Sequence, residues 1–529
     1  MPQAQDSRSF IAKETSSPLQ KSGLSRFALM VSMFVALVFL YLRGFLLSGV
    51  PLVAVGDEDL FLGRAVHILH GSVMYRDFFE LVTPGTDLLY AAVFRLFGVH
   101  AWVIQACGVA FGLAMFYVVT SIAAKIVRGP FVLLPGALFL VFDLNSAHDL
   151  THHWFSTLAA LIAVNVLMGG EGAVRVAWAG VFCALATLLT QTQGALVFTA
   201  MLVYLLWNRG STGEANTTRA RLAAFVLPYA AVVAGVLGYY VYRAGLHVVF
   251  FDLVEFAPRF LTGDVNSPRT YLHQFPRVSG PGDAFRAIPY VFIYAVVPYV
   301  YFAGLYQLWR TRTDAPQGQR RHLMLLHLVG LALFLSIVSG PRFFRLCTVA
   351  PPAILVFVWL CSGAARMMTV VRGVLWTATA VFAVVLSVHR VTQWHGVLDL
   401  PIGRTAFVDR LQFNEFRWLA EHTQPHEPFF NKTALSLYLA LDTPEVVEFI
   451  NEDGFTRPEQ VTAVLAWLED HRARFIVMFP QDSRGAATTL SNSAPFRRYV
   501  QENYHLTQVF PLEEQGAPEE LWERRAQRP

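Results

Sequence analysis

Long apolar runs constrain this chain more than any other feature of its sequence. They occupy residues 27–42, 102–124, 131–142, 222–242, 288–309, 323–339 and 371–388. Runs of this kind are long enough, or nearly so, to cross a hydrocarbon core about 30 Å thick. Only helices and closed barrels satisfy their backbone hydrogen bonds in lipid, and these runs lack the two-residue alternation of barrel strands. We therefore predict a mainly α-helical integral membrane protein with about eleven transmembrane helices.

Composition excludes several other classes of protein. The 529 residues are 55% hydrophobic and only 15% charged, which does not fit an ordinary soluble protein. The net charge of +4 is small and the basic residues are scattered at helix ends, so no nucleic acid is expected as a partner. The four cysteines lie in or beside apolar runs, which indicates neither a disulfide framework nor a thiolate metal site. The lipid bilayer is the partner that the composition predicts.

Basic residues predict the orientation in the membrane, because Lys and Arg near helix ends favour the cytoplasmic side. Cytoplasmic turns are expected near residues 125–128, 175, 209–221, 310–321 and 366–372. The segments expected outside are about 50–100, 145–153, 190–193, 243–287 and 340–345. An odd number of helices then places everything after residue 388 outside. The predicted parts are a cytoplasmic tail (1–26), a transmembrane domain (27–389) and an extracytoplasmic domain (390–529).

Two parts of the outside segments are not expected to span the membrane. Residues 86–98 are apolar but short, and crossing there would place Lys125 and Arg128 outside. We therefore predict an interfacial helix, paired with a second amphipathic helix at 60–70. The long loop 243–287 mixes aromatic and charged residues, which suits a mobile lid that closes over a bound substrate.

The last part of the chain has the pattern of a small α/β domain. Residues 404–422 and 457–472 are amphipathic and predict helices, and 475–479 (FIVMF) predicts a buried strand. Arginine outnumbers lysine strongly, a bias typical of GC-rich bacterial genomes.

Three consecutive carboxylates, Asp57, Glu58 and Asp59, come after the first apolar helix. Clustered carboxylates suit a general base or a cation site, because like charges and desolvation raise a pKa toward the working range. The same residues also suit the acidic first turn of an interfacial helix. Their position outside the membrane does not separate these two interpretations.

The next forty residues of the chain favour the catalytic interpretation. They include GSVMYRDF at 71–78, TPG at 83–85 and LFG at 96–98. This arrangement resembles the first extracytoplasmic loop of GT-C glycosyltransferases, the superfamily of protein O-mannosyltransferases and the bacterial lipid A aminoarabinose transferase. TPG stands where those proteins have a turn with two prolines. The resemblance implies a GT-C-like helix bundle, Asp57 and Glu58 as catalytic residues, and Asp59, Tyr75, Arg76 and Asp77 as substrate-binding residues.

A second acidic residue is implied in the next outside loop, where this chain has Asp149 among His148, His152 and His153. We predict Asp149 as catalytic and His148 and His152 as substrate-binding. The histidines could also ligate a metal ion, but neighbouring residues on a helix point to different faces. No metal or other cofactor is therefore assumed, although some GT-C branches use a divalent metal.

Two arginines and a glutamine complete the predicted site. Arg342 and Arg345 precede a proline-containing helix. They lie in a segment expected outside, although Lys and Arg near helix ends favour the cytoplasmic side, and a bidentate phosphate clamp would explain them there. Pairing with an acidic residue or a lipid headgroup is the alternative. The superfamily often has LTK at an outer helix end, whereas this chain has LTQ at 189–191. Gln191 is therefore a substrate-binding candidate without the lysine charge.

The resemblance implies an inverting glycosyltransferase. Such an enzyme moves one sugar from a polyprenyl-phosphate donor to an acceptor (a lipid, glycan or protein) at the outer face of a bacterial inner membrane. Asp57 would deprotonate the acceptor and the arginines would stabilise the leaving phosphate. A transporter of lipid-linked saccharides and a non-catalytic scaffold are the alternatives. The chain shows no internal repeats and few charges in mid-helix, which argues against the transporter.

Overall fold

The computed structural model describes residues 24–54, 56–146, 149–208, 215–256, 271–272, 275–312, 316–363, 366–424, 427–431, 436–441, 458–478, 493–511 and 518–526. Helices dominate these ranges. In chain order they are α1 (Arg26–Gly44), α2 (Glu58–Leu69), α3 (Gly85–Phe97), α4 (Ala101–Ile126), α5 (Gly129–Ser146), α6 (His152–Met168), α7 (Ala173–Leu189), α8 (Gln191–Trp207), α9 (Ala215–Ala244), α10 (Leu246–Phe250), α11 (Pro281–Arg310), α12 (Gln317–Ser336), α13 (Phe343–Leu360), α14 (Arg366–Thr392), α15 (Arg410–His422), α16 (Ser436–Leu441), α17 (Pro458–Asp470) and α18 (Ser493–Asn503).

The apolar helices confirm a multi-pass membrane protein. Seven of the described helices, α1, α4, α5, α9, α11, α13 and α14, are long and apolar enough to cross a membrane. Three shorter ones, α6, α7 and α8, are also apolar, and α12 becomes apolar after its basic first turn. Together the seven long helices, the three shorter ones and α12 make eleven within the described ranges, which agrees with the predicted number of about eleven. Side chains of α1 such as Phe27 and Phe34 are exposed, as expected for a surface that contacts lipid.

The two predicted interfacial helices are present as α2 and α3. They have 12 and 13 residues and so extend about 20 Å at most, too short to span a bilayer. They pack against each other through Phe61, Leu62 and Tyr90. Gly98, with φ of +80°, ends α3 in a conformation that favours glycine.

The predicted loop at 243–287 is partly wrong. Its beginning is helical, because α9 runs to Ala244 and is followed by α10 and a π-helical turn at Phe251–Glu255. Its end belongs to α11, which begins at Pro281, and proline is favoured in a first helical turn because its missing N–H needs no partner there. Residues 257–270, 273 and 274, where the lid was predicted, lie outside the described residues.

A pair of prolines inside α13 is accommodated by a neighbouring helix. Pro352 has no N–H, so the carbonyl of Thr348, four residues earlier, loses its partner within the helix. The hydroxyl of Thr157 in α6 donates a hydrogen bond of 2.7 Å to that carbonyl, and both threonines are fully buried. The side chain of α6 thus satisfies a backbone group that would otherwise be unpaired in the bundle core.

The C-terminal part is an α/β unit with two sheets. The strands are β1 (Gly396–Leu400), β2 (Gly403–Phe407), β3 (Phe430–Asn431), β4 (Phe475–Met478), β5 (Tyr504–Phe510) and β6 (Glu519–Arg524). The strands β1 and β2 form an antiparallel hairpin, and the other four have the order β3-β4-β6-β5, with only the β3–β4 pair parallel. The prediction of helices and a buried strand here is confirmed.

One predicted helix begins later than expected. Residues 404–407 were assigned to the 404–422 helix but form strand β2, because they pair with β1 and with a segment far away in the chain. The helix α15 begins at Arg410, after Asp409 caps it by accepting hydrogen bonds from the N–H groups of Leu411 and Gln412.

Strand β2 also joins the C-terminal unit to the membrane part. The N–H of Ala406 donates to the carbonyl of Pro51 at 2.8 Å, and the N–H of Val53 donates to the carbonyl of Ala406 at 2.9 Å. The N–H of Ala101, at the start of α4, donates to Ile402. The C-terminal unit therefore lies at the end of the bundle where the acidic cluster comes after α1.

Candidate functional site

The acidic residues of two separate loops meet at the amino-terminal end of α2. The carboxylate of Asp149 accepts hydrogen bonds from the N–H of Asp57, at 3.0 Å, and from the N–H of Glu58, at 2.8 Å. Gly56 has φ of +120°, and a Cβ there would lie 2.9 Å from an oxygen of Asp149. Glycine is therefore required by both the backbone and the space. The carboxyl group of Asp149 therefore lies at the helix amino terminus, where free N–H groups favour negative charge.

The three acids that meet here have different environments. Glu58 is buried, and it accepts hydrogen bonds from the hydroxyl of Tyr90 at 2.7 Å and from the N–H of Leu150 at 3.4 Å. Burial, followed by the charge of Asp149, raises the pKa of Glu58 to about 8. Burial, followed by the charge of Asp57, raises the pKa of Asp149 to about 7. Both carboxyl groups are therefore well placed to hold a proton near neutral pH.

Asp57 is the most exposed of the three acids, because Asp149 is half-buried and Glu58 is buried. Partial removal of water from around its carboxyl group raises the pKa of Asp57, while the charges of Arg345 and Arg342 act in the opposite direction. Asp57 is thus an accessible carboxylate with positive groups nearby. A carboxylate in this position can accept a proton from a bound molecule.

The two arginines lie at the amino-terminal end of α13. Arg342 is the N-cap residue and Arg345 lies in the first turn, with its guanidinium carbon 5.9 Å from the centre of the Phe344 ring. The amino-terminal end of a helix of 18 residues also presents free N–H groups and a positive dipole. Two guanidinium groups and a helix amino terminus on one side of an accessible carboxylate form an arrangement that suits a phosphate.

The histidines at the start of α6 lie between the acids and the arginines. The rings of His152 and His153 are 4.0 Å apart, and His152 also lies 5.3 Å from the ring of Phe61 in α2. His153 lies 6.5 Å from the Phe344 ring, measured between ring centres. His148 lies outside the described residues. Among the described residues, no group of three or more His, Cys, Asp or Glu side chains is arranged to hold a metal ion.

Gln191 holds the loop between α2 and α3. Its amide donates to the carbonyl of Leu81 at 2.7 Å and accepts from the N–H of Thr83 at 3.4 Å. Next to it, a Cβ on Gly85 would lie 2.5 Å from the carbonyl of Leu188, which explains the glycine of the TPG turn. Gln191 therefore positions a loop, and its predicted contact with substrate stays a prediction.

For four other predicted residues, the described part of the structure gives no contact with the carboxyl groups of Asp57 or Asp149. Tyr75 is buried, has φ of +67°, and donates from its hydroxyl to Val82 at 2.9 Å. Arg76 and Asp77 form a two-fold ion pair with each other, with both N···O distances 2.7 Å, and remain partly exposed. Asp59 is buried in the first turn of α2. Their roles in binding stay predictions.

A buried charged cluster that was not predicted from the sequence lies next to the loop between α2 and α3. Arg64 of α2 forms an ion pair with Glu80, and both side chains are almost completely buried. Asp87 of α3 is also buried, and burial followed by the charge of Glu80 raises its pKa well above the usual range. The sequence feature that could have indicated this cluster is Arg64, an arginine on the apolar face of a short helix.

The overall architecture is similar to that of solved membrane glycosyltransferases. ArnT from Cupriavidus metallidurans bound to undecaprenyl phosphate matches with a TM-score of 0.58 and 13% identity over 94% of this chain and 97% of that chain. The apo state of ArnT matches with a TM-score of 0.57 and 15% identity over 93% and 97%. The oligosaccharyltransferase of Archaeoglobus fulgidus matches with a TM-score of 0.53 and 11% identity over 86% and 68%.

No protein-family profile and no curated protein sequence matches this chain. The structural matches, at identities of 11–15%, establish the fold. The chain is a multi-pass membrane protein with the GT-C fold, and the resemblance predicted from the loop at 57–98 is confirmed at this level.

Proposed function

We propose that this protein is an inverting glycosyltransferase that moves one sugar from a polyprenyl-phosphate donor to an acceptor. The observation that carries the proposal is the placement of accessible Asp57 beside Arg342 and Arg345 at one end of a GT-C bundle. The complex of ArnT with undecaprenyl phosphate, a protein of the same fold, supports a lipid-linked donor. A lipid-linked sugar cannot leave the bilayer, so its enzyme needs catalytic groups at the membrane surface.

In the proposed reaction, Asp57 takes the proton from the acceptor group as that group attacks the anomeric carbon of the sugar. The bond between this carbon and the phosphate oxygen breaks, and its electron pair leaves with polyprenyl phosphate. The configuration at the anomeric carbon inverts because there is a single displacement. The leaving phosphate gains charge and requires positive groups, which Arg342, Arg345 and the amino terminus of α13 supply. The mechanism as proposed uses no metal ion.

Glu58 and Asp149 are assigned supporting roles. The two oxygens of Asp149 hold the backbone N–H groups of Asp57 and Glu58, so Asp149 fixes the direction in which the base points. Glu58 is held by Tyr90 and orients the same segment from the buried side. This arrangement keeps the base within the small tolerance that catalytic geometry requires.

The test is a donor assay with the purified protein in nanodiscs. A labelled polyprenyl-phosphate sugar is supplied with a cell-envelope extract as the source of acceptors, and release of polyprenyl phosphate is measured. The proposal expects release that depends on the extract and is lost in Arg345→Ala, while exposed Arg310→Ala serves as a control with unchanged activity. Facilitated transfer of the intact donor across the bilayer would instead identify a transporter. Neither release nor transfer would identify a non-catalytic scaffold.

A further inference from the structure

A basic cavity lies at the end of the bundle opposite the acids. It has a volume of about 670 Å³ and lies where α4 ends, α5 and α12 begin, and α13 and α14 are connected. Three cationic side chains line it: Lys125, Arg128 and Arg372. Its described lining contains no Asp or Glu side chain. Three positive charges that converge on one cavity repel each other unless an anion lies between them.

Two of the cations are held rigidly by neutral groups. The ammonium of Lys125 donates to the backbone carbonyl and the side-chain oxygen of Asn165, both at 2.6 Å. Arg372 donates to the carbonyls of Cys361 and Gly363 and to the hydroxyl of Thr369. None of these partners carries a negative charge. The positions of the charges are therefore fixed, while the charges themselves are not neutralised by these contacts.

Hydrogen-bond donors remain for a ligand. An ammonium has three N–H groups and Lys125 uses two of them on Asn165. The Nε of Arg372 is buried and has no hydrogen-bond partner within the described structure. The Arg372 guanidinium also lies over the ring of Phe131, with its carbon 4.3 Å from the ring centre, which sets the plane of its donors. Arg128 adds an exposed guanidinium to the lining.

The rest of the cavity lining is mixed. Gln319 and Ser362 are polar, whereas Ala124, Ile126, Val127 and Phe131 form an apolar wall beside the cations. These residues lie at the ends of helices that are long and apolar enough to span the membrane, which is the depth of lipid headgroups. Basic pockets between helix ends bind the phosphates of anionic lipids. A soluble phosphate would match the cations but would leave the apolar wall uncovered.

We propose that this cavity binds the phosphate headgroup of an anionic phospholipid. The phosphate lies between Lys125, Arg128 and Arg372, and the glycerol and first methylenes cover the apolar wall. The site is separate from the acids and from Arg342 and Arg345, so it does not depend on the proposed glycosyl transfer. Its expected effect is to stabilise the connections α4–α5 and α13–α14.

The test measures lipid binding by the purified full-length protein in detergent. Phosphatidylglycerol, cardiolipin and phosphatidylcholine are titrated separately, and retained lipid is counted by native mass spectrometry together with the shift in Tm. We expect both anionic lipids to bind and raise Tm, and phosphatidylcholine to do neither. Arg128→Gln, which changes an exposed side chain, should weaken phosphatidylglycerol binding about fivefold, the effect of about 1 kcal/mol per basic residue.

Matched variants separate this site from general surface charge. Arg310→Gln removes an exposed arginine at the last position of α11, outside the cavity lining, and should leave lipid binding unchanged. Equal weakening by Arg310→Gln, or equal binding of phosphatidylcholine, would overturn the proposal. Inorganic phosphate that raises Tm as much as phosphatidylglycerol at the same concentration would also overturn it, in favour of a soluble anion site. Lys125→Arg and Arg372→Lys keep the charges and should keep the preference for anionic lipid.

Discussion

In the proposed reaction, Asp57 and the two arginines act in different states of the substrate, and this difference can be tested. A general base acts on the acceptor proton in the transition state, so Asp57→Asn should reduce turnover by about 10²- to 10⁴-fold with donor affinity almost unchanged. Arg342→Ala and Arg345→Ala should weaken donor binding as well as turnover, because a phosphate clamp acts in both states. Donor binding and single-turnover release of polyprenyl phosphate in nanodiscs measure the two effects.

Controls for this prediction come from the same acidic segment. Asp59→Asn should have a smaller effect than Asp57→Asn, because Asp59 is buried in α2. Loss of turnover in Glu58→Gln with near-normal turnover in Asp57→Asn would show that the general base is Glu58 and not Asp57. Normal turnover in both variants would mean that the carboxylates only cap α2, and the proposed mechanism would be wrong.

Glu58 also predicts how stability depends on pH. Its pKa rises from 4.5 to about 8 on folding because it is buried, so between these values the folded state holds a proton that the unfolded state releases. Stability from this group is therefore complete below pH 4.5 and is lost as the pH rises toward 8, by at most about 1.4 kcal/mol per pH unit. Thermal unfolding from pH 5 to 8 should show Tm falling less steeply in Glu58→Gln than in the wild type. Glu421→Gln, at an exposed position, is the control, and equal slopes in all three proteins would contradict this prediction.

The residues of the site were only partly predictable from the sequence. The resemblance of the 57–98 segment suggested Asp57, Glu58 and Asp149 as one group, and the structure brings them together. It could not indicate which carboxylate remains accessible, since that depends on Tyr90 and Leu150 from other parts of the chain. Tyr75, suggested by the same motif, has its hydroxyl bonded to the loop backbone instead.

At the level of secondary structure, the hydrogen bond from Thr157 to the Thr348 carbonyl should stabilise α13, because Pro352 leaves that carbonyl without a partner within the helix. This contribution can be tested. Thr157→Val keeps the shape but leaves the Thr348 carbonyl without its donor, which should cost about 1–3 kcal/mol and lower Tm. In a Pro352→Ala background, the new N–H of residue 352 can pair with that carbonyl, so Thr157→Val should cost much less. Thr199→Ala, which removes an exposed bond within α8, is the control. Equal costs in both backgrounds would contradict this account.

Helices and strands were predictable to different degrees, for a physical reason. The apolar helices and the pair α2 and α3 were predicted because their signal is local, in the length and period of the apolar pattern. The strand at 403–407 was mistaken for the start of a helix because its partners are β1 and residues 51–53, and such pairing is not visible in the segment itself. The helical stretch at 246–255 was missed because aromatic and acidic residues conceal its pattern.

For the whole molecule, the distribution of arginines predicts that residues 390–529 lie outside and 310–322 inside. In intact cells whose outer membrane is permeabilised, a membrane-impermeant maleimide should label Glu421→Cys directly. The same reagent should label Gln317→Cys only after the inner membrane is opened; both positions are exposed in the described structure. The described native cysteines are buried or half-buried, which keeps their background labelling low. The opposite pattern of labelling would reverse the topology and place the acids in the cytoplasm.

The hydrogen bonds between Ala406 and the segment 51–53 bear on how this protein can be engineered. A chimaera that exchanges the C-terminal domain at residue 390 would cut α14 before its end at Thr392 and replace the strand that pairs with residues just before Asp57. A donor domain would therefore have to supply a compatible strand edge as well as a stable fold. Exchanges that keep 396–407 with the recipient and change only the residues after Asp409 leave that pairing intact, and they are the better starting point for exchanging this domain.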